Sequence, residues 1–128
     1  MINLISIYGG GSLTLLMALF HLRFPKLFHW KNDYTSISEV NKKIFFTIHL
    51  ALLFMFIVIG ILSLVYAREL SECTGISFGF NVAISVFWLW RVVWQIFYFK
   101  GKTIHYILIA VFLILSATYS VPVVFKLI

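Results

Sequence analysis

Four apolar segments, each long enough to cross a lipid bilayer, account for most of this 128-residue chain. A spanning helix needs about 20 mainly apolar residues, and in lipid its backbone must satisfy its own hydrogen bonds. Only 11% of the residues are charged, against about a quarter in soluble domains. We therefore predict an all-α integral membrane protein.

The predicted architecture is a four-transmembrane-helix bundle with antiparallel up-down topology, forming a single membrane domain over residues 1–128. Short connections between helices favour antiparallel neighbours. The predicted helices cover about residues 4–22, 37–68, 78–99 and 103–125. We interpret the first segment as a retained helix, because its basic cluster follows the apolar run instead of preceding it.

Basic residues are distributed unequally between the two sides of the predicted bundle. The connections between the first and second helices and between the third and fourth helices carry Arg23, Lys26, Lys31, Lys42, Lys43, Lys100 and Lys102, whereas the other side carries Arg68 and Lys126. Short loops rich in Lys and Arg stay in the cytoplasm. We therefore expect both termini to be extracytoplasmic, in a bacterial cytoplasmic (inner) membrane.

Most of the residues that give the chain its formal charge of +6 lie on the predicted cytoplasmic side. We expect the seven cytoplasmic Lys and Arg side chains to contact anionic lipid headgroups, each contributing about 1 kcal/mol. No basic helix stands clear of the membrane, so we predict no nucleic-acid partner. The lipid bilayer and other protein chains, or further copies of this one, are the predicted partners.

Residues 23–36 form the longest connection, and their pattern indicates an interfacial loop. Aromatic residues alternate there with Lys26 and Lys31, which suits a segment lying in the membrane interface. Ser36 and Glu39 match a capping box, so the second helix is expected to begin near Ile37 and to continue to Arg68. The single cysteine of the chain, Cys73, is expected in the outward loop.

Each predicted helix carries a stripe of small and polar residues at helical spacing. In lipid such residues turn toward neighbouring helices, so these stripes are expected to face one another. They comprise Gly11, Thr14, Ala18 and His21 in the first helix; His49, Leu53, Phe56, Gly60, Ser63 and Ala67 in the second; Asn81, Ser85, Trp88, Arg91, Gln95 and Tyr98 in the third; and His105, Ile109, Phe112, Ser116 and Tyr119 in the fourth. The small residues Gly9, Gly10 and Gly11 of the first helix also favour close helix packing.

The strongest polar residues of these stripes fall at one depth, in the cytoplasmic half. We predict that they form a ligand-binding site lining one cavity, with His29 folding over its mouth. The candidate residues are His21, His49, Arg91, Gln95, Tyr98 and His105. The alternative is that Arg91 extends its side chain to the headgroups and that the histidines near the interface have no special role.

The site is rich in nitrogen and contains no carboxylate, since no Asp or Glu lies inside a span. That composition argues against proton-coupled cation export and against carboxylate-bridged iron sites. His49, His105 and His21 are the candidate ligands for a metal or for haem b, with His49 paired to either of the others. Arg91 disfavours a bare cation and favours a phosphate or carboxylate headgroup, or a quinone carbonyl.

Three functions remain open from the sequence. The first is a binding or accessory subunit of a larger membrane assembly. The second is a bis-His haem b electron carrier or a quinone-site protein. The third is a His-ligated metal-dependent membrane enzyme, for which the sequence shows no HxxxH or HxxH pair.

Overall fold

A computed structural model describes all 128 residues; it is helical along most of its length and contains no strand. The helices are α1 (Ile2–Leu22), α2 (Phe24–Leu27), α3 (Trp30–Asp33), α4 (Glu39–Val65), α5 (Ala67–Glu72), α6 (Ile76–Tyr98) and α7 (Thr103–Leu127), with a 3₁₀ turn at Tyr34–Ser36. Helices α1, α4, α6 and α7 are long and apolar enough to cross a membrane. The prediction of an all-helical fold with four helices long and apolar enough to span a membrane is confirmed.

The long helices pack in sequence-adjacent pairs, with α1 against α4 and α6 against α7, and α1 also contacts α7. Neighbours run in opposite directions, since His21 at the end of α1 lies near His49 in the early part of α4. The predicted stripes are buried or half-buried, except that Tyr98 is exposed. Most outward-facing side chains of these helices are large and apolar, as a lipid-facing surface requires.

Glycines allow α1 to approach two neighbouring helices closely. A Cβ atom added to Gly11 would lie 2.9 Å from the Ser63 Cβ and 3.2 Å from the Gly60 carbonyl oxygen in α4. One added to Gly10 would lie 2.7 Å from the Thr118 hydroxyl in α7. The prediction of close helix packing is confirmed for Gly10 and Gly11, but it was wrong for Gly9, where an added Cβ would meet no atom within 4 Å.

The start of α4 differs from the prediction. Ser36 does not cap the helix, because it lies in the 3₁₀ turn and its hydroxyl donates to the Asp33 carbonyl at 2.8 Å. Ser38 has the extended backbone of an N-cap residue and accepts a hydrogen bond from the Asn41 amide at 3.3 Å. The predicted capping box was therefore wrong, and α4 begins at Glu39.

The end of the second span also differs from the prediction of an unbroken helix to Arg68. Helix α4 ends at Val65, and Tyr66 breaks the helical geometry before α5 begins. Helix α5 packs against α6, where the Asn81 amide donates to the Leu70 carbonyl at 2.8 Å. Cys73 follows in a left-handed conformation and is buried, so the connection between the second and third long helices is a packed element instead of an exposed loop.

The predicted interfacial loop is likewise structured, as α2, α3 and the 3₁₀ turn. Its aromatic side chains pack against the first turns of α4. The Trp30 ring lies 4.8 Å, centroid to centroid, from both Phe45 and His49. This segment therefore covers one side of α4 near its beginning.

Three stacked rings cross the middle of the bundle. Trp88 lies 5.2 Å from Phe56 and 5.5 Å from Phe112, with the ring planes within 28° of parallel. We call Phe56, Trp88 and Phe112 the aromatic layer. Each lies seven residues, or about two helical turns, from a polar residue of the candidate site on its own helix. The aromatic layer thus separates that site from the other half of the bundle.

Candidate functional site: a basic cavity at one end of the bundle

A cavity of about 390 Å³ lies at the end of the bundle where α1 and α6 finish and α7 begins. We call this end the basic end and the other the opposite end. Eight of the fourteen lining residues are hydrophobic, counting Tyr98, which also carries a hydroxyl. The lining comprises His21, Arg91, Gln95, Tyr98, Lys100, Lys102 and His105, together with Met17, Phe24, Phe28, Phe99, Ile104, Leu108 and Phe112.

Five of the six residues selected from the sequence line this cavity. Arg91, Gln95 and Tyr98 project from α6 at spacings of four and three residues, which places them on one face of the helix. His21 comes from α1 and His105 from the first turn of α7. Three helices therefore contribute polar groups to one space.

His49 does not line the cavity. Its ring lies beside that of His21, with centroids 6.1 Å apart and planes 18° from parallel, and Trp30 packs against it at 4.8 Å. The expectation that His49 shares the cavity was therefore wrong. The physical reason is that α2 and α3 insert aromatic rings at the start of α4, so Phe24 and not His49 borders the space.

The two cavity histidines are buried and each has one ring nitrogen engaged. His21 Nδ1 lies 3.0 Å from the Met17 carbonyl oxygen, to which it donates. The Gln95 amide nitrogen lies 3.4 Å from His105 Nδ1 and donates to it. The Nε2 atom of each ring has no hydrogen-bond partner in the protein.

Arg91 is half-buried and has no counter-ion. Its Cζ atom lies 5.3 Å from the centroid of the Phe112 ring, a cation–π distance. The only salt bridge in the chain joins Lys42 to Glu39 at 2.5 Å. No carboxylate lines the cavity, so the positive charges of Arg91, Lys100 and Lys102 are balanced by nothing inside it.

The beginning of α7 adds further positive potential to the cavity. Lys102 is the N-cap residue, but no side chain accepts a hydrogen bond from the first amides of the helix. Free amides at a helix N-terminus favour negative charge. Gly101 supports this geometry, since its φ of 90° lies in a region that side-chain-bearing residues avoid.

Sequence reasoning missed part of the lining. We expected His29 to cover the mouth, but His29 is exposed and lies outside the lining, whereas Phe24 and Phe28 border it. The spacing of four residues between these phenylalanines indicates one face of a helical turn, and this signal was present in the sequence. Lys100 and Lys102 were assigned to headgroups alone, yet both line the cavity.

The arrangement does not fit the predicted haem pairs. Two axial histidines must approach the iron from opposite sides of the macrocycle, and both predicted pairs include His49, which lies outside the cavity. Phe24 also stacks on His21 with centroids 4.1 Å apart. Among all 128 residues, no group of three or more His, Cys, Asp or Glu side chains is arranged to hold a metal ion.

The chain matches no protein-family model, no curated protein sequence and no solved structure.

Proposed function

We propose that this protein is a small, non-enzymatic membrane protein that binds a ligand in the cavity at its basic end and acts as a subunit of a larger membrane assembly. The observation that carries the proposal is the convergence of His21, Arg91, Gln95, Tyr98 and His105 on one cavity of about 390 Å³. That volume lies within the usual range of about 300–1,000 Å³ for small-molecule sites.

The composition of the cavity supports binding more than catalysis. Its polar groups are mainly hydrogen-bond donors, and no carboxylate or thiol lines it. Its apolar residues enclose a space where donors are strengthened by the low dielectric. Such a site holds and orients a ligand that carries acceptor atoms.

Blocking the cavity tests the proposal. Leu108→Trp places a large ring at the lining, and Leu113→Trp places the same ring on the exposed face of the same helix. Both variants and the wild type are purified in mild detergent, and bound small molecules are extracted and identified by mass spectrometry. We expect a molecule that accompanies the wild type and Leu113→Trp but not Leu108→Trp. Identical extracts from all three would refute a ligand-binding cavity.

The assembly part of the proposal has a separate test. Large apolar side chains cover the outward faces of all four long helices, and these faces offer packing area to other helices as well as to lipid. Native electrophoresis of mildly solubilised membranes is expected to show the chain in a complex larger than one copy. Migration as a single copy under every mild condition would remove the subunit role.

We further propose that both termini are extracytoplasmic and that the basic end faces the cytoplasm, because the Lys and Arg side chains cluster there. Cys73 is 1% exposed and therefore gives little background with a membrane-impermeant maleimide. Ile76→Cys introduces a thiol at the opposite end and Lys31→Cys one at the basic end, both at exposed positions. In intact cells only Ile76→Cys should react. The reverse pattern would invert the orientation.

A further inference from the structure

We propose that the cavity binds a phosphate group, carried as the headgroup of an anionic lipid whose acyl part lies against the apolar lining. This inference rests on the proposed ligand-binding function and names the chemical class of the ligand. It follows from three features of the cavity: an uncompensated charge, the order of polar and apolar groups, and the open amides of α7.

The uncompensated charge is the strongest of these features. Arg91 lies seven residues before the last residue of α6, about 10 Å at the standard rise, so its guanidinium is at depth in the bundle. It forms no salt bridge, because the only one in the chain joins Lys42 and Glu39. A charge taken out of water and left unpaired is costly. An anionic ligand supplies the missing counter-charge.

The cations are arranged along the cavity instead of at one point. Lys100 and Lys102 lie in the connection before α7, at the outer limit of the cavity, and Arg91 lies deeper, over the Phe112 ring. An anion arriving from the membrane surface meets the lysines first and Arg91 next. This order allows a headgroup to enter without leaving any of its charge in an apolar environment.

The apolar part of the lining indicates an amphiphile rather than a free ion. Met17, Phe24, Phe28 and Leu108 border the same space as the cations. A free ion would leave these surfaces in contact with water. Acyl chains would cover them and gain about 25 cal/mol for each Å² of apolar surface removed from water.

Phosphate matches the available donors better than a carboxylate or a quinone carbonyl. A phosphate group offers more acceptor oxygens than a carboxylate, and Arg91 can hold two of them at once. The His105 ring lines the same cavity, and the first amides of α7, which no side chain caps, offer further donors. A quinone is neutral and would leave the charge of Arg91 uncompensated.

A titration of the purified full-length protein in neutral detergent tests the proposal. The probes are short-chain phosphatidic acid, phosphatidylcholine with the same acyl chains, a short-chain quinone and inorganic phosphate. The apparent dissociation constant is measured from the rise in thermal stability that a ligand binding the folded state produces. We expect phosphatidic acid to bind and both phosphatidylcholine and the quinone to bind at least about tenfold more weakly, a difference of about 1.4 kcal/mol.

Charge-removing variants assign the binding to the cavity. Arg91→Gln should weaken phosphatidic acid about tenfold to a hundredfold. Arg68→Gln, the same change at an exposed position of the opposite end, should have no effect. If Arg91→Gln does not fold, the double variant Lys100→Gln/Lys102→Gln replaces it, with Lys126→Gln as its exposed control.

Each outcome of the titration has a definite meaning. Inorganic phosphate binding as tightly as phosphatidic acid, with the same loss in Arg91→Gln, would support the phosphate site and identify a free ion as its occupant. Stronger binding of the quinone or of phosphatidylcholine would overturn the anion assignment. In that case the extraction experiment decides the proposed function: it is supported if a molecule accompanies the wild type and Leu113→Trp but not Leu108→Trp. If none of the four probes binds, the inference is also overturned. The extraction experiment then tests the proposed function independently.

Discussion

The two ends of the bundle treat their polar side chains in different ways. At the opposite end the Tyr119 hydroxyl lies 2.7 Å from the Ser63 hydroxyl and 3.4 Å from that of Thr14, which joins α7 to α4 and α1. Ser85 in α6 similarly lies 2.7 Å from the Ser120 hydroxyl of α7. These hydroxyls are satisfied by one another across helix interfaces, whereas the side-chain oxygens of Asn3 and Asn81 at the same end are buried without a partner.

At the basic end the polar groups face a cavity instead. Arg91 has neither a salt bridge nor a hydrogen bond from another side chain, and each cavity histidine has one nitrogen without a partner. Between the two ends lies the aromatic layer. In lipid the hydrophobic effect does not drive helices together, so close packing and interhelical hydrogen bonds must do so. The opposite end therefore holds the helices together, and the basic end keeps its polar groups available for a ligand.

The largest effect is expected from a substitution that separates helices at the opposite end. Gly11→Val should lower the free energy of unfolding by about 3 kcal/mol, because an added Cβ would lie 3.2 Å from the Gly60 carbonyl oxygen, a backbone atom that cannot move aside. Unfolding of the purified protein by denaturing detergent measures the change.

Gly9→Val is the matched control, since a Cβ at Gly9 meets nothing within 4 Å and the residue lies on the same helix. It should change the unfolding free energy by about 0.5 kcal/mol or less. Equal destabilisation by both variants would show that the effect comes from helix propensity and not from the contact between α1 and α4.

The second effect concerns the hydroxyl bridge at the opposite end. Tyr119→Phe should cost about 1.5 kcal/mol, because it keeps the ring but removes the hydroxyl that joins α7 to Ser63 and Thr14, which then keep only the carbonyls of their own helices as partners. Tyr106→Phe removes a hydroxyl from an exposed position of the same helix and should be neutral. A neutral Tyr119→Phe would mean that the bridge does not contribute to joining the three helices.

Sequence patterns predicted the helices and most of the interior, because both depend on local composition and on spacing. The run of apolar residues defines a span wherever it occurs, and small and polar residues at helical spacing turn inward in lipid. Gly11 and Ser63 could be placed at an interface from the sequence for this reason. The bounds of α4 were less accurate, since Ser36 and Ser38 compete for one cap and only the preceding turn decides between them.

The position of His49 shows what the sequence could not supply. It was predicted to lie in the same half of the bundle as His21, and the two rings are 6.1 Å apart. The depth of a residue along its helix does not show how that helix is rotated about its own axis. It also does not show whether another segment of the chain covers the residue. Because α2 and α3 fold back over α4, Phe24 takes the place on the cavity that His49 was expected to have.

The third effect is a gain in stability at the basic end. Arg91→Met keeps a shorter, unbranched and apolar side chain beside the Phe112 ring and removes a charge that has no counter-ion. In the absence of lipid additives this variant should be more stable than the wild type by about 1 kcal/mol. The same unfolding assay measures it. A loss of stability would show that Arg91 supports the fold, and the contrast between the two ends would then be weaker than we infer.

The smallest effect is expected where the cavity has room. Leu108→Trp enlarges a half-buried residue that borders the cavity, so its unfolding free energy should change by about 0.5 kcal/mol. Leu115→Trp makes the same change two turns further along α7, where Leu115 is fully buried, and overpacking there should cost about 3 kcal/mol. The pair compares both sides of the aromatic layer with one chemical change on one helix. If Leu108→Trp were as damaging as Leu115→Trp, the cavity would be part of the packed core, and the basic end would not be free to accept a ligand.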